Sequence, residues 1–167
     1  MITFLYNDVR MRCFTERDHL SKLQGEIKFR VMENIQSTKI QMRYGDLDAL
    51  GHVNNAVFLT YYELGRTNFF REYLGGFISR DVSFVVNHAE IDFRAPIHFE
   101  DEPVVLTWIS GLGRTSCVFS HKIISEDYKK IFSEGKTVVV WVDSSLRKKE
   151  IQTELREKLE KLMINYV

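Results

Sequence analysis

The chain has 167 residues, is 44% apolar and 13% aromatic, and balances 23 basic against 23 acidic side chains for a formal net charge of zero. That length and composition suit one domain with a substantial core, and the charge balance argues against a broad basic footprint for nucleic acid. No apolar run is long enough to span a bilayer, Asp8, Arg10 and Arg12 interrupt any signal-peptide core, and Cys13 and Cys117 are too few for a disulfide framework, so a reduced, cytoplasmic protein is expected.

Residues 1–34 read as an N-terminal extension ahead of a domain spanning 35–167. Within the extension, Thr15 opens a helix over Glu16–Gln24 that Gly25 ends. Ile27, Phe29 and Val31 then alternate with charged residues, as in a strand. The domain proper begins with a strand in which Thr38, Ile40, Met42 and Tyr44 form the buried face. A loop, Asp46–His52, leads to a helix predicted from Asn55 to Tyr73 and stopped by Gly75-Gly76. Asn54 is its N-cap, a residue whose side-chain oxygen accepts from a free N–H of the first turn. Phe58, Tyr62, Gly65, Phe69 and Tyr73 form one stripe, widened by Val57, Tyr61 and Leu64, so the helix is buried over much of its circumference. Gly65 costs roughly 1 kcal/mol of helix propensity against alanine. A close approach to a sheet would account for it.

Four strands follow. The first carries Ala89, Ile91, Phe93 and Ala95 and ends at Pro96. The second carries Val104, Leu106 and Trp108, then turns at Gly111-Leu-Gly113. The third carries Cys117, Phe119, His121 and Ile123, and the last Val138, Val140 and Val142. Thr153–Asn165 is an amphipathic helix. One strand, a long helix and then consecutive strands make an α+β domain with the helix on one face of an antiparallel sheet.

The chemistry concentrates between Asp46 and Asn55. Asp46, Asp48 and His52 lie on the loop that enters the helix N-terminus, where unpaired backbone donors and the positive end of the helix dipole favour developing negative charge. The run Asp-Leu-Asp-Ala-Leu-Gly-His-Val-Asn-Asn, continued by Phe58, Tyr62 and, at its end, Glu63, resembles the acyl-CoA thioesterases of the hotdog superfamily, nearest to the 4-hydroxybenzoyl-CoA thioesterase group. Plant acyl-carrier-protein thioesterases have a similar run. The resemblance covers roughly Gln36 to the C-terminus and is sharp only over Asp46–Glu63.

It implies the hotdog fold, a long helix wrapped by a curved sheet of about five strands. It also implies pairing into dimers or tetramers with the active site between subunits. Asp48 matches the group's catalytic carboxylate, acting as nucleophile or as general base on water. The plainer reading is a loop aspartate that satisfies nearby amides. His52 either bonds Asp48 or positions the acyl group. Asp46 either orients His52 or holds the turn. The backbone N–H of Asn55 is the candidate oxyanion donor. Glu63 either reaches a partner's site or pairs with Arg66 or Thr67. Asn54, Tyr44, Phe58 and Tyr62 are candidate substrate-binding residues, and the aromatics suit an aromatic or a fatty acyl group. Arg114 with Ser116, and Arg147 with Lys148 and Lys149, are candidate contacts for the phosphates of coenzyme A, although basic residues at turns are usually just solvated.

The expected substrate is therefore an acyl-CoA or acyl-carrier-protein thioester, cleaved to a carboxylic acid and a free thiol. Coenzyme A enters as part of the substrate, with no other cofactor, no metal, no nucleic acid and no membrane partner. His88, Glu90 and Asp92 share a strand face, but that face alternates with apolar residues and reads as the wet side. A hotdog hydratase or dehydratase, which sets an Asp/His pair against an alkene, is the rival enzyme. A non-catalytic acyl-CoA-binding regulator is the rival of another class, and it would need a DNA-binding module that the N-terminal segment is too short and too weakly basic to supply.

Overall fold

Helix α1 (Asn55–Leu74) organises the domain. The computed structural model describes residues 34–75 and 83–164, so the helix and strand expected in the N-terminal extension lie outside the described residues, as does Gly76. Asn54 Oδ1 accepts from Ala56 N at 2.9 Å, which caps the start of α1 as predicted. Gly75, at φ +75°, ends it in the left-handed conformation. Phe58, Tyr61, Tyr62, Phe69 and Phe70 are almost fully buried. Each contributes roughly 1.5–3 kcal/mol of hydrophobic stabilisation.

The sheet has five strands in the order β1-β3-β4-β5-β2. They are β1 (Gln36–Lys39), β2 (Ser83–Phe93), β3 (Pro103–Leu112), β4 (Ser116–Ser125) and β5 (Ile131–Val142). All neighbours pair antiparallel. Helix α2 (Thr153–Leu162) packs Leu159 into the core. The expected α+β architecture of the hotdog fold is present: one long helix on one side of an antiparallel sheet.

The core divides along α1. Phe58, Tyr61 and Tyr62 of its N-terminal half cluster with Val53, Ile97, Val105, Ile123 and Phe132. Phe69 and Phe70 of its C-terminal half cluster with Ile109, Cys117, Phe119, Val139, Trp141 and Leu159. The entry loop of α1 belongs to the first half.

Three elements differ from expectation. Strand β1 stops at Lys39, and Tyr44–Asp46 form a short 3-10 turn. Arg43 N donates to Asp46 Oδ2 at 2.9 Å, which bends the chain out of the strand and leaves Tyr44 80% exposed. On β3, the residues facing α1 are Val105, Thr107 and Ile109, each fully buried, rather than Trp108 and its alternates. Both faces of that stretch are largely apolar, so alternation alone cannot choose between them. Finally, β2 is longer than expected and is an edge strand, with Val85, Val86 and Phe93 exposed.

Between α1 and the sheet runs a buried polar chain. Arg66 donates to Thr137 Oγ1 at 3.3 Å, and Thr137 meets His121 Nε2 at 2.9 Å. His121 Nδ1 meets Thr107 Oγ1 at 3.0 Å, and Tyr62 stacks on the imidazole at 4.5 Å between centroids. Burial, and then the neighbouring Arg66 cation, hold His121 well below its ordinary pKa, so it is the neutral imidazole that packs here.

Candidate active site

The loop entering α1 is closed by its own backbone. Asp48 N donates to His52 O at 2.9 Å, and Gly51 N to Asp48 O at 3.1 Å. Gly51 sits at φ +80°, which favours glycine. Asn54 N donates to Asp46 O at 2.9 Å, tying the loop back to the 3-10 turn.

Within this loop the two aspartates do different work. Asp46 is buried and accepts from Arg43 N, from the Arg43 guanidinium at 3.0 and 3.2 Å, and from Tyr61 Oη at 3.0 Å. It holds the turn and does not orient His52. Burial acts to raise its pKa, but the hydrogen bonds from the Arg43 backbone, Tyr61 and the guanidinium together hold the carboxyl below its ordinary value. The stability it contributes is therefore complete above its unfolded pKa, about 4, and is lost as pH falls through the lower folded value. Asp46→Asn is expected to cost roughly 1.5–3 kcal/mol, the range for hydrogen bonds to a charged group. It should also flatten the acid limb of the stability curve. Urea titrations of both proteins from pH 3 to 7 check this. Parallel curves would mean that the charge contributes nothing.

Asp48 divides its two oxygens. Oδ1 accepts from Leu50 N at 2.8 Å, the turn-holding role open to any loop aspartate. Oδ2 lies 3.4 Å from His52 Nδ1. Both side chains remain partly accessible, 26% for Asp48 and 30% for His52. The Asp48–His52 pairing expected as one role for the histidine is thus formed on Oδ2, the oxygen that Leu50 N does not engage. Among the described residues the Asn55 N–H has no acceptor, because the Asn54 side chain caps Ala56 and the Asn54 carbonyl accepts from Val57 at 2.8 Å.

The other predicted residues scatter around this centre. Glu63 is exposed on α1 and makes no ion pair among the described residues. No close ion pair with Arg66 is formed among the described residues, because Arg66 turns inward to Thr137 and is buried, although the Glu63 charge still acts on its guanidinium. Phe58 is buried and meets Phe93 edge-on at 5.0 Å. Tyr62 is fully buried, with its hydroxyl 3.0 Å from Ser133 Oγ, and burial pushes its pKa up to about 12. Tyr44 lies outside the core and packs on Phe99, with ring centroids 4.5 Å apart.

The two basic clusters, read separately from the sequence, are neighbours. Ile151 N donates to Arg114 O at 3.1 Å, and Trp141 N to Thr115 O at 2.8 Å, which brings the 143–151 loop against the β3–β4 turn. Ser116 O accepts from Gly113 N in that turn at 2.8 Å. Arg114 pairs with Glu150, Arg147 pairs with Asp143, and Lys148 bridges back to Val142. This cluster adjoins Trp141 and Cys117, under the C-terminal half of α1. The 20 residues of α1 span about 30 Å, so within one chain the basic cluster stands far from Asp48.

Sequence reasoning missed a second pair beside the loop. His98 and Asp101 follow β2. Asp101 Oδ2 accepts from His98 N at 2.8 Å and lies 3.7 Å from His98 Nδ1. His98 forms a bridge with His52, their rings edge-on with centroids 6.3 Å apart. The spacing Pro96-Ile-His98-Phe-Glu-Asp101 was the available signal, but only the fold reveals its neighbour. Among the described residues no group of three His, Cys, Asp or Glu side chains is placed to hold a metal. His88, Glu90 and Asp92 lie exposed on β2.

Comparison with known proteins shows the family. The family model described as the thioesterase-like superfamily matches residues 42–159. The acyl-CoA thioester hydrolase YbgC of Escherichia coli is 29% identical over 107 residues, covering 62% of this chain and 79% of that protein. The long-chain acyl-CoA thioesterase FadM of Escherichia coli is 27% identical over 129 residues, covering 75% of this chain and 98% of that protein. Among solved structures, a thioesterase from Thermus thermophilus complexed with coenzyme A and zinc superposes with a TM-score of 0.66 at 32% identity, covering 77% of this chain and 93% of that one.

Proposed function

The chain belongs to the thioesterase-like superfamily and is an acyl-CoA thioesterase, and we propose that Asp48 carries the reaction at the entrance to α1. The observation behind this assignment is the division of labour on that carboxylate. Oδ1 is engaged by Leu50 N, while Oδ2 is partly accessible and faces His52.

The thioester carbonyl oxygen sits against the Asn55 N–H, where the helix N-terminus stabilises the oxyanion. Oδ2 of Asp48 then either takes a proton from the attacking water or attacks the carbonyl itself to form an anhydride, which water opens. In both routes the C–S bond breaks and the thiol departs. His52 keeps Oδ2 in place.

One chain cannot bring its own basic cluster to this centre, but a second copy can. Strand β2 is an uncovered edge with Val85, Val86 and Phe93 exposed, a natural surface for pairing. Two such strands meeting antiparallel about a two-fold axis would run the two α1 helices in opposite directions. Each Asp48 loop would then lie toward the partner's Arg114 and Arg147 end. The working unit is accordingly a homodimer, or a tetramer of two such dimers, with the coenzyme A phosphates held by the partner's cluster.

Arg114→Ala with Arg147→Ala should raise KM for an acyl-CoA by tenfold or more and leave kcat within about twofold. The matching pantetheine thioester, which lacks the nucleotide phosphates, should not register the change. Equal losses on both substrates would assign these arginines a structural role. Sedimentation at micromolar concentration should show no active monomer.

A further inference from the structure

The active-site loop has one acid–base pair, Asp48–His52, but thioester cleavage moves protons at two atoms. One is the attacking water and the other is the departing sulfur. The second pair, His98–Asp101, stands where the second atom must leave. We propose that His98 is the general acid that protonates the leaving thiol, with Asp101 as its positioning residue. The inference rests on Asp48 acting at the carbonyl as described above.

Three observations place His98 there. First, the backbone fixes it to the catalytic loop. Val53 N donates to Ile97 O at 2.8 Å, and His52 and His98 form an antiparallel bridge. The two imidazoles therefore sit side by side on adjoining extended segments, edge-on at 6.3 Å. Secondly, His98 is the outer of the two. Its side chain is 45% exposed against 30% for His52 and 26% for Asp48. The acyl chain goes inward and the thiol leaves toward solvent, so the outer imidazole is on the thiol side. Thirdly, Asp101 orients it. Its Oδ2 binds His98 N and faces Nδ1, as the carboxylate of a catalytic triad orients its histidine, which leaves Nε2 for the substrate. Lys130 Nζ, 4.0 Å from the same oxygen, is the other charge facing Asp101. Beyond His98 the exposed rings of Tyr44 and Phe99 offer an apolar wall for the arm that carries the thiol.

The step balances as follows. Water oxygen, or Asp48 Oδ2 in the covalent route, forms its bond to the carbonyl carbon. The C–S bond then breaks with its electron pair on sulfur, and the proton on His98 Nε2 passes to that sulfur. His98 regains a proton from solvent. The proton taken from water by Asp48 is released with the carboxylic acid product. A thiol is a weak acid, with a pKa of about 8.5 for the cysteine side chain, but far stronger than an alcohol. It therefore leaves without help more readily than an alcohol does, and the contribution of His98 is smaller than that of Asp48.

The test varies the leaving group at constant acyl group. Wild type, His98→Gln, Asp101→Asn and Asp48→Asn are assayed on an acyl N-acetylcysteamine thioester and on its S-phenyl counterpart, whose thiol is more acidic and needs no acid. Neither substrate carries the nucleotide, so the basic cluster does not enter. His98→Gln should lose roughly ten- to a hundredfold in kcat/KM on the alkyl thioester and stay within about twofold of wild type on the phenyl thioester. Asp101→Asn, which keeps an acceptor for His98 N, should show the same selectivity with a smaller loss. It carries the test should His98→Gln fold poorly. Asp48→Asn should lose both substrates equally. If His98→Gln and Asp101→Asn lose equally on the two thioesters, or lose nothing on the alkyl one, the proposal is overturned. Full activity of Asp48→Asn would instead remove the carboxylate assignment, and the two failures are thus told apart.

Discussion

Asp48→Asn is expected to lower kcat by about 10²–10⁴-fold, the range for removal of a general base, while the protein stays folded and binds acyl-CoA with nearly unchanged affinity. The separation follows from how the side chain is used. Asn keeps an oxygen for Leu50 N, so the 2.8 Å bond that holds the turn survives. The Asn55 N–H and the helix N-terminus remain, because they belong to the backbone. Only the oxygen facing His52 loses its charge. A covalent route would lose more than a general-base route, and label found in Asp48 after a single turnover in heavy-oxygen water would establish the covalent route, with water opening the anhydride at the aspartyl carbon. The measurement is kcat with ligand affinity and melting temperature, taken beside Asp46→Asn. The second variant should show the opposite signature, a clear fall in melting temperature with a smaller loss of rate. An Asp48→Asn enzyme that turns over at the normal rate would falsify the assignment and shift attention to His52 and Glu63.

The layout of the candidate site was legible as far as it is local. Asp48, His52, Asn54 and Asn55 lie within one loop and one helix start, so a capping residue before an apolar stripe was enough to place them together. Gly75 was equally readable as the helix stop. Whatever depends on strand pairing was not. His98 reaches His52 through a bridge between segments far apart in sequence, and no periodicity reports that. The fate of Asp46 depended on Arg43, a residue that alternation assigns to the wet face of a strand but that instead folds back on the carboxylate. The inner face of β3 was unreadable for a different reason. Thr107 faces inward because His121 and Thr137 complete its polar chain, and a hydrophobic pattern treats such inward polar residues as exposed. Arg66 is the extreme case. Its guanidinium is buried against Thr137 at 3.3 Å, where the sequence suggests a surface partner for Glu63.

Gly65→Ala is expected to destabilise the domain by about 1–3 kcal/mol, although alanine is the better helix former. Intrinsic propensity favours the substitution by roughly 1 kcal/mol. Packing opposes it. A Cβ on Gly65 would lie 2.9 Å from Val105 Cγ1 and closer still to Thr107 Oγ1, and real Cβ contacts essentially never fall under 3.0 Å. Both neighbours are fully buried in β3, so neither can swing away into solvent. Overpacking of this kind typically costs 1–3 kcal/mol. Moving Thr107 also breaks its bond to His121 Nδ1, which leaves a buried polar atom without a partner at a further cost of about 1–3 kcal/mol. These terms exceed the propensity gain. At this chain length each kcal/mol moves the melting temperature by about 2–4 °C, so the loss is easily read by calorimetry. The mechanism predicts coupling. Thr107→Ala removes the closest obstacle and leaves only the Val105 contact, so Gly65→Ala placed on that background should cost clearly less, a coupling of about 1 kcal/mol or more in a double-mutant cycle. Additive losses would show that the contact with Thr107 is not what the glycine protects. Because Asp48 and the Asn55 N–H lie a good distance toward the other end of α1, the folded fraction of Gly65→Ala should keep most of its kcat, whereas Asp48→Asn keeps its fold and loses its rate.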